Sequence, residues 1–411
     1  MEKFDWIIKN GRVIDPSQAL DKVTNIGLAK GKIAAIGDIE GGSEADQIYD
    51  ATGHIVTPGL VDLHIHGYEH VTPLGIDVDH YCLGRGVTTA IDAGSAGCDT
   101  FDGFRHFAAE RSQTRLLAFL HISRAGLAFS SRTGGDDPGE LETLKLVHTR
   151  DCIDCIESNR DLLVGVKIRL SSSIANDGRN EVEAYKRARE AAGAVELPLM
   201  THHNFSFIPL EDCPGAMERG DIYTHCFHAY PNTIIDPVSN TLFDSIVAAR
   251  DAGVLFDIGH GMGSFSWPVA ELCAQQGFWP DTISTDIHSL NRDGPVYDLP
   301  TVMSRMLKVG MPLVEIIRAS TINPAKAIGW DDRIGTLDIG RDADISVLAL
   351  DSVTLQLEDC HAQLRSLESQ LIPKAVWRAG NRGQITSPKK LPDCDTYQTA
   401  IDWQSKLIIR D

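Results

Sequence analysis

The stretch Thr57-Pro-Gly-Leu-Val-Asp-Leu-His-Ile-His-Gly67 decides how the rest of the chain is read. Pro58-Gly59 marks a turn, an apolar run follows, and His64 and His66 close it. Side chains two apart on a strand share one side, so the two imidazoles point the same way. Imidazole is the commonest protein ligand for zinc-like metals. Such a pair alone is ordinary on a surface strand, and its weight depends on what else the chain brings to strand ends.

Seven further runs have the same texture, near 88–94, 116–122, 162–170, 198–203, 222–227, 254–260 and 283–288. Helical patterns fill several of the gaps, as in 181–193, where strong helix formers run up to a stop at Gly193. Eight strands alternating with helices predict an α/β fold, a (β/α)8 TIM barrel, whose chemistry gathers at the C-terminal strand ends. The ends of the chain read differently. The first 56 residues and those after 330 show short strands and turns, with Asn10-Gly11 between two β-rich runs as a hairpin signal. We therefore expect a small β-sandwich domain built from 1–56 and 331–411, with the barrel over 57–330 inserted between them.

Bulk properties narrow the class. At 411 residues the chain exceeds the size at which single cores split. A formal charge of −19 repels DNA, RNA and anionic membrane surfaces, so neither nucleic acid nor membrane is expected as a partner. The start Met-Glu-Lys-Phe-Asp-Trp has no signal-peptide pattern, and no apolar run reaches the ~18 residues of a membrane span. Nine scattered cysteines suit reduced thiols and a cytoplasmic protein. Cys152 and Cys155 form a C-x-x-C, but they share an apolar helical face with positions 153 and 156, which reads as core packing. Cys226 falls on the strand face opposite His225 and reads as packing too.

Candidate chemistry recurs at the predicted strand ends. In Leu162-Leu-Val-Gly-Val-Lys-Ile-Arg-Leu170, alternation sets Gly165, Lys167 and Arg169 on the side away from Val164, Val166 and Ile168, facing the barrel mouth. A buried lysine is costly unless it is paired or neutral, and a neutral amine can take up CO2 as a carbamate able to bridge two metals. Leu197-Pro-Leu-Met-Thr-His-His-Asn204 ends in His202 and His203, and Asp221-Ile-Tyr-Thr-His-Cys-Phe-His228 carries His225 and His228. Alternation leaves the choice within each pair open. The eighth run places Asp286 and His288 on one face. The Gly-rich loop 124–139 reads as an exposed loop or a lid, and residues 259–265 as a backbone-lined pocket wall.

His-x-His on strand 1, Lys on 4, His on 5 and 6 and Asp on 8, in that order, resembles the amidohydrolase superfamily of binuclear metal hydrolases. The likeness extends to Asn323-Pro-Ala-Lys-Ala-Ile-Gly329 and Gly340-Arg-Asp-Ala-Asp-Ile345. Gly165-Val-Lys-Ile-Arg169, Thr224-His-Cys-Phe227, 257–265 and 284–291 are similar to the dihydroorotase-like deacetylase branch, which cleaves acetyl groups from 2-substituted carboxylic acids such as acetyl-(R)-mandelate. The resemblance implies two divalent ions, zinc by preference. His64, His66 and Asp286 would hold the inner ion, His202 and His225 the outer one, and a CO2-derived carbamate on Lys167 would bridge both. The family has one histidine where this chain has two, and its pattern selects His202 over His203. The implied chemistry is attack by a hydroxide shared between the ions, with Asp286 as general acid and base.

Such a centre tolerates a small anionic substrate. Arg169, whose planar fork suits a carboxylate or an oxyanion, is the first choice to receive it, with Arg124 and Arg292 as rivals. Asn204 and His288 are expected to line the pocket. A dihydroorotase-like cyclic amide hydrolase or a D-aminoacylase is the alternative activity, and a metal-free scaffold the least favoured reading. The sequence leaves self-association into a homo-oligomer open.

Overall fold

The computed structural model describes residues 3–39, 45–129, 139–386 and 405–410. Seven of the apolar runs form one parallel sheet: Leu60–Ile65, Val87–Gly97, Arg115–His121, Leu163–Leu170, Leu199–His203, Ile222–Thr224 and Leu255–Asp257. Neighbours in this sheet are neighbours in the chain, and every pairing is parallel. Each pair therefore needs a crossover connection.

The eighth run forms no extended strand. It bridges both edges of the curled sheet instead, Thr282 pairing with Asp257 of the last strand and Ile287 with Ile65 of the first. Side chains replace the missing ladder. Asp257 accepts hydrogen bonds from the hydroxyls of Thr224, Thr282 and Ser284, each at 2.7 Å. Asp62 accepts from the Thr285 N–H and hydroxyl at 3.0 and 2.6 Å. Local side-chain bonding of this kind competes with regular strand pairing.

Apolar residues from the early parts of the strands, including Val61, Leu117, Val164, Met200 and Ile222, pack with Ile328 and Ile334. Helix Glu181–Val195 runs past Gly193, with Glu196 as its left-handed cap at φ 54°. The expected stop is overridden because Val195 is fully buried and its packing extends the last turn. Cys152 and Cys155 lie on helix Thr149–Ser158 and pack on the main core.

Strands from the two chain ends meet in a second sheet. Ile55–Pro58 runs parallel to Phe4–Asp15 and antiparallel to Ile345–Glu358, which joins the N-terminal and C-terminal parts. The expectation of a two-layer sandwich meets a single connected sheet of eight strands, with its own core of Trp6, Ile8, Ile26, Val56, Ile345 and Trp377 among others. Asn10-Gly11 is not a hairpin. Phe4–Asp15 continues through it as one strand, and the signal is spent on a bulge between Ile8 and Gly11, with Asn10 at φ 62°. Asn tolerates that conformation whether a chain reverses or merely kinks. Among the described residues, no helix is long and apolar enough to cross a membrane.

Candidate metal centre

His64 and His66 reach the C-terminal end of the first strand and meet Asp286 from the segment that joins the sheet edges. One ligand atom from each of the three lies within 4.8 Å of the others, and all three residues are buried. Asp286 Oδ1 stands 3.0 Å from His66 Nε2 and 3.4 Å from His64 Nε2. Its other oxygen lies 4.0 Å from His225 Nε2. One carboxylate thus faces two sets of imidazoles. The His202 and His225 rings adjoin at 4.4 Å between centroids, and those of His64 and His225 at 5.0 Å.

Hydrogen bonds behind the rings settle which nitrogen points inward. Thr224 donates its hydroxyl proton to Asp257, so it accepts from His64 Nδ1 at 3.0 Å and leaves the Nε2 lone pair toward Asp286. His225 Nδ1 donates to the Gly259 carbonyl at 2.6 Å, which leaves its Nε2 to the cluster. His202 Nε2 donates to Asn204 Oδ1 at 2.8 Å, leaving Nδ1. His66 Nδ1 is held by Ser95 Oγ at 3.0 Å. Partners of this type fix tautomer and ring orientation in metal sites. His203 is turned elsewhere, its nitrogens meeting Tyr223 OH and the Ile208 carbonyl at 3.3 and 2.9 Å. His228 Nε2 donates to the His203 carbonyl at 3.1 Å.

Lys167 is 1 % exposed, and its Nζ has no hydrogen-bond partner among the described residues. Gly94 makes room for it at φ 88°, where a Cβ would come within 2.7 Å of Lys167 Cγ. Burial pulls the ammonium down to about 7, so much of the amine is neutral near neutral pH. Burial also lowers His64 and His202 well below the usual imidazole range, and takes His225 and His288 to about 4. Burial pushes the Asp286 carboxyl up, but His64, His66 and His225 pull harder and hold it well below the usual range. Neutral imidazoles and an ionised carboxylate are donors that a divalent ion takes. Asp286 Oδ1 is likewise buried without a hydrogen bond. These residues fit metal ions.

Two of the ligand residues carry backbone strain. His225 and Asp286 adopt left-handed conformations at φ 67° and 48°, each costing on the order of 1–3 kcal/mol for a non-glycine residue. Asp286 is held there by its N–H, which donates to the His64 carbonyl at 2.6 Å. Residues 259–265 leave the seventh strand alongside, His260 and Gly261 donating to the carbonyls of Ser284 and Thr285.

The candidate substrate contacts differ in placement. Arg169 faces the cluster and is gripped by both oxygens of Glu140, a fully buried carboxylate the sequence reading passed over. His288 stands beside His66, ring centroids 6.2 Å apart, and its Nδ1 accepts the Leu290 N–H at 3.2 Å. Arg292 is set apart, its guanidinium 5.0 Å over the Tyr81 ring. Arg124 pairs with Asp99 and Asp151. Of the suggested lid, residues 130–138 lie outside the described residues. Thr224, Ser95, Glu140 and His121 were missed because lone hydroxyls, acids and histidines in a sequence carry no spacing signal.

Fold and cluster define the class: an α/β metal-site hydrolase. Residues 55–383 match the amidohydrolase family, and the chain belongs to that family. It is 34% identical over 344 residues to a deacetylase of Agrobacterium fabrum, covering 84% of this chain and 82% of that one. The solved structure of an adenine deaminase superposes with a TM-score of 0.85 at 31% identity, covering 92% of this chain and 99% of that one. That of a dihydroorotase gives 0.84 at 31% identity, covering 94% and 99%.

Proposed function

We propose that this hydrolase is a binuclear deacetylase that removes an acetyl or other small acyl group from a small anionic substrate, a 2-substituted carboxylic acid carrying an ester or amide. The observation that carries the reading is the convergence of the His64, His66 and Asp286 ligand atoms beside the buried, uncapped Lys167 Nζ. The likeness to a deacetylase supports the choice of acyl group. His64, His66 and Asp286 would hold one zinc, His202 and His225 the other, and Lys167, as its CO2-derived carbamate, both. When bound, such a pair of ions supplies an acidified water and an electrophile for the acyl carbonyl.

The chain's own groups do the rest. Asp286 faces both sets of imidazoles, which suits it to take a proton from the attacking water and return it to the leaving oxygen or nitrogen. Arg169 offers a planar cation for the substrate carboxylate. Asn204 holds His202 in its tautomer. His288, whose Nδ1 is spent on Leu290, offers an Nε2–H toward the substrate. The same reading treats residues 57–330 as a (β/α)8 barrel closed by 282–287. It treats 1–56 with 331–411 as one domain, the eight-stranded sheet folding on itself as a sandwich around Trp6 and Trp377. It assigns the protein to the cytoplasm, consistent with free cysteines among the described residues.

A panel of both acetyl-mandelate enantiomers, N-acetyl-D- and L-amino acids, dihydroorotate and adenine, with zinc and bicarbonate and with or without chelator, tests this. Enantioselective, chelator-sensitive acetate release is expected. Turnover of dihydroorotate alone would replace the reading with ring opening, and ammonia from adenine alone with deamination.

A further inference from the structure

We propose that Glu140 is a positioning residue for this reaction, fixing the Arg169 guanidinium in the orientation that receives the substrate carboxylate. The inference rests on the reading that Arg169 touches substrate.

The carboxylate is itself rigidly placed. Gly139 packs so closely on Ile174 that a Cβ would come within 2.4 Å of the Ile174 Cα. Leu141 N–H donates to the Ile174 carbonyl at 3.1 Å, and the Leu141 carbonyl accepts from Asn180 Nδ2 at 2.9 Å. The Leu141 side chain is fully buried. Glu140, between these anchors, is 0 % exposed.

From that fixed point both oxygens engage one edge of the guanidinium. Arg169 Nε donates to Oε1, and Nη2 donates to Oε2 at 2.8 Å. A two-pronged pair sets the plane of the fork as well as its distance. On the other side His121 Nε2 lies 3.7 Å from Oε1. The Ser123 N–H donates to His121 Nδ1 at 2.9 Å, so the His121 proton sits on Nε2 and faces Glu140. His121 is the register neighbour of Lys167, and Arg169 lies two residues further along the same strand. His202, a candidate ligand, is the register partner of Arg169 on the next strand, which sets the two side chains at one level of the sheet.

An ion pair whose carboxylate is fully buried is an expensive way to fill space, because an apolar pair of similar volume packs as well or better. Its presence at the strand ends, beside the metal centre, points to use of the cation rather than to fold stability. Burial pushes the Glu140 carboxyl up, but Arg169 and His121 overcome it and hold it well below the carboxylate range. The ionised form of the pair is therefore the favoured one.

The test uses the zinc- and bicarbonate-loaded full chain with Glu140→Gln, Glu140→Asp, Arg169→Met and the double variant. Acetyl-mandelate and its neutral methyl ester are the probes, with metal content and thermal midpoint read alongside. Glu140→Gln is expected to lower kcat/KM on the carboxylate about 100-fold, the scale of a misplaced contact, mainly through KM. On the methyl ester the change should stay within about 2-fold, with metal content retained and Glu140→Asp recovering part of the loss. A structural role would depress both substrates equally, and that result overturns the proposal.

Glu140→Gln leaves the Arg169 charge without its carboxylate, so the double variant, lacking both charges, guards against a folding failure. Its kcat/KM should match that of Arg169→Met within about 2-fold, and an additive loss contradicts a role exercised through Arg169. If Arg169→Met itself changes nothing, the reading of Arg169 falls and this inference with it. If Arg169→Met costs 100-fold and Glu140→Gln nothing, only the inference falls.

Discussion

The strand-end cluster and the terminal sheet bury comparable side chains to opposite purposes. In the terminal sheet, Trp377 meets Trp6 and Tyr49 edge-on, with centroids 5.4 and 5.2 Å apart, within an apolar core. That arrangement follows from burial of aromatic surface and quadrupole geometry. At the strand ends the chain buries Lys167, Glu140 and Asp286, strains the backbone at His225 and Asp286, and leaves Lys167 Nζ and Asp286 Oδ1 uncapped. One region buries apolar and aromatic surface, and the other holds ionisable groups away from water. Substitutions should separate the two.

Lys167→Met should have the largest effect on turnover, a loss of about 10,000-fold set by the several kcal/mol a bound divalent ion supplies, with partial rescue by a small carboxylate such as formate. The metal-free protein should respond oppositely. Lys167 titrates near 7 in the fold against 10.5 in the unfolded chain, so between these values the unfolded state carries a proton the folded state lacks. Stability of the metal-free wild type should therefore rise with pH across that window. In Lys167→Met that rise should vanish, as denaturant titration at several pH values would reveal.

Asp286→Asn should reduce kcat about 1,000-fold, within the span expected for a general acid and base, while circular dichroism shows the fold intact. Trp377→Ala should do the reverse, destabilising by about 3–5 kcal/mol while turnover per folded molecule stays at the wild-type level. A parallel loss of activity would mean the terminal sheet shapes the site directly. The smallest effect belongs to Thr224→Val, which removes the acceptor behind His64. Metal affinity by competition with a chelator should fall about 10- to 100-fold, and unchanged affinity would show that His64 needs no support from that side.

The strands were legible because apolar runs bounded by turn residues survive folding almost unshifted, as Leu163–Leu170 and Arg115–His121 show. The eighth run was legible as an element but not as the pair of bridges it forms. Thr282, Ser284 and Thr285 look like strand formers, yet they spend their hydroxyls on Asp257 and Asp62. Alternation found Lys167 and Arg169, but it could not separate His202 from His203; the bonds of His203 to Tyr223 and Ile208 are tertiary facts. Glu140 was out of reach for a related reason. Its neighbours in sequence carry no pattern, and its role arises only when residue 139 is pressed against Ile174. Asn10-Gly11 misled because the same left-handed preference serves a turn and a bulge.

The most direct measurement is the metal content of protein reconstituted with zinc in the presence and absence of bicarbonate, by inductively coupled plasma mass spectrometry. The account predicts two ions per chain with bicarbonate and fewer than two without it. One ion per chain under both conditions would contradict the two-ion centre and the carbamate on Lys167 together.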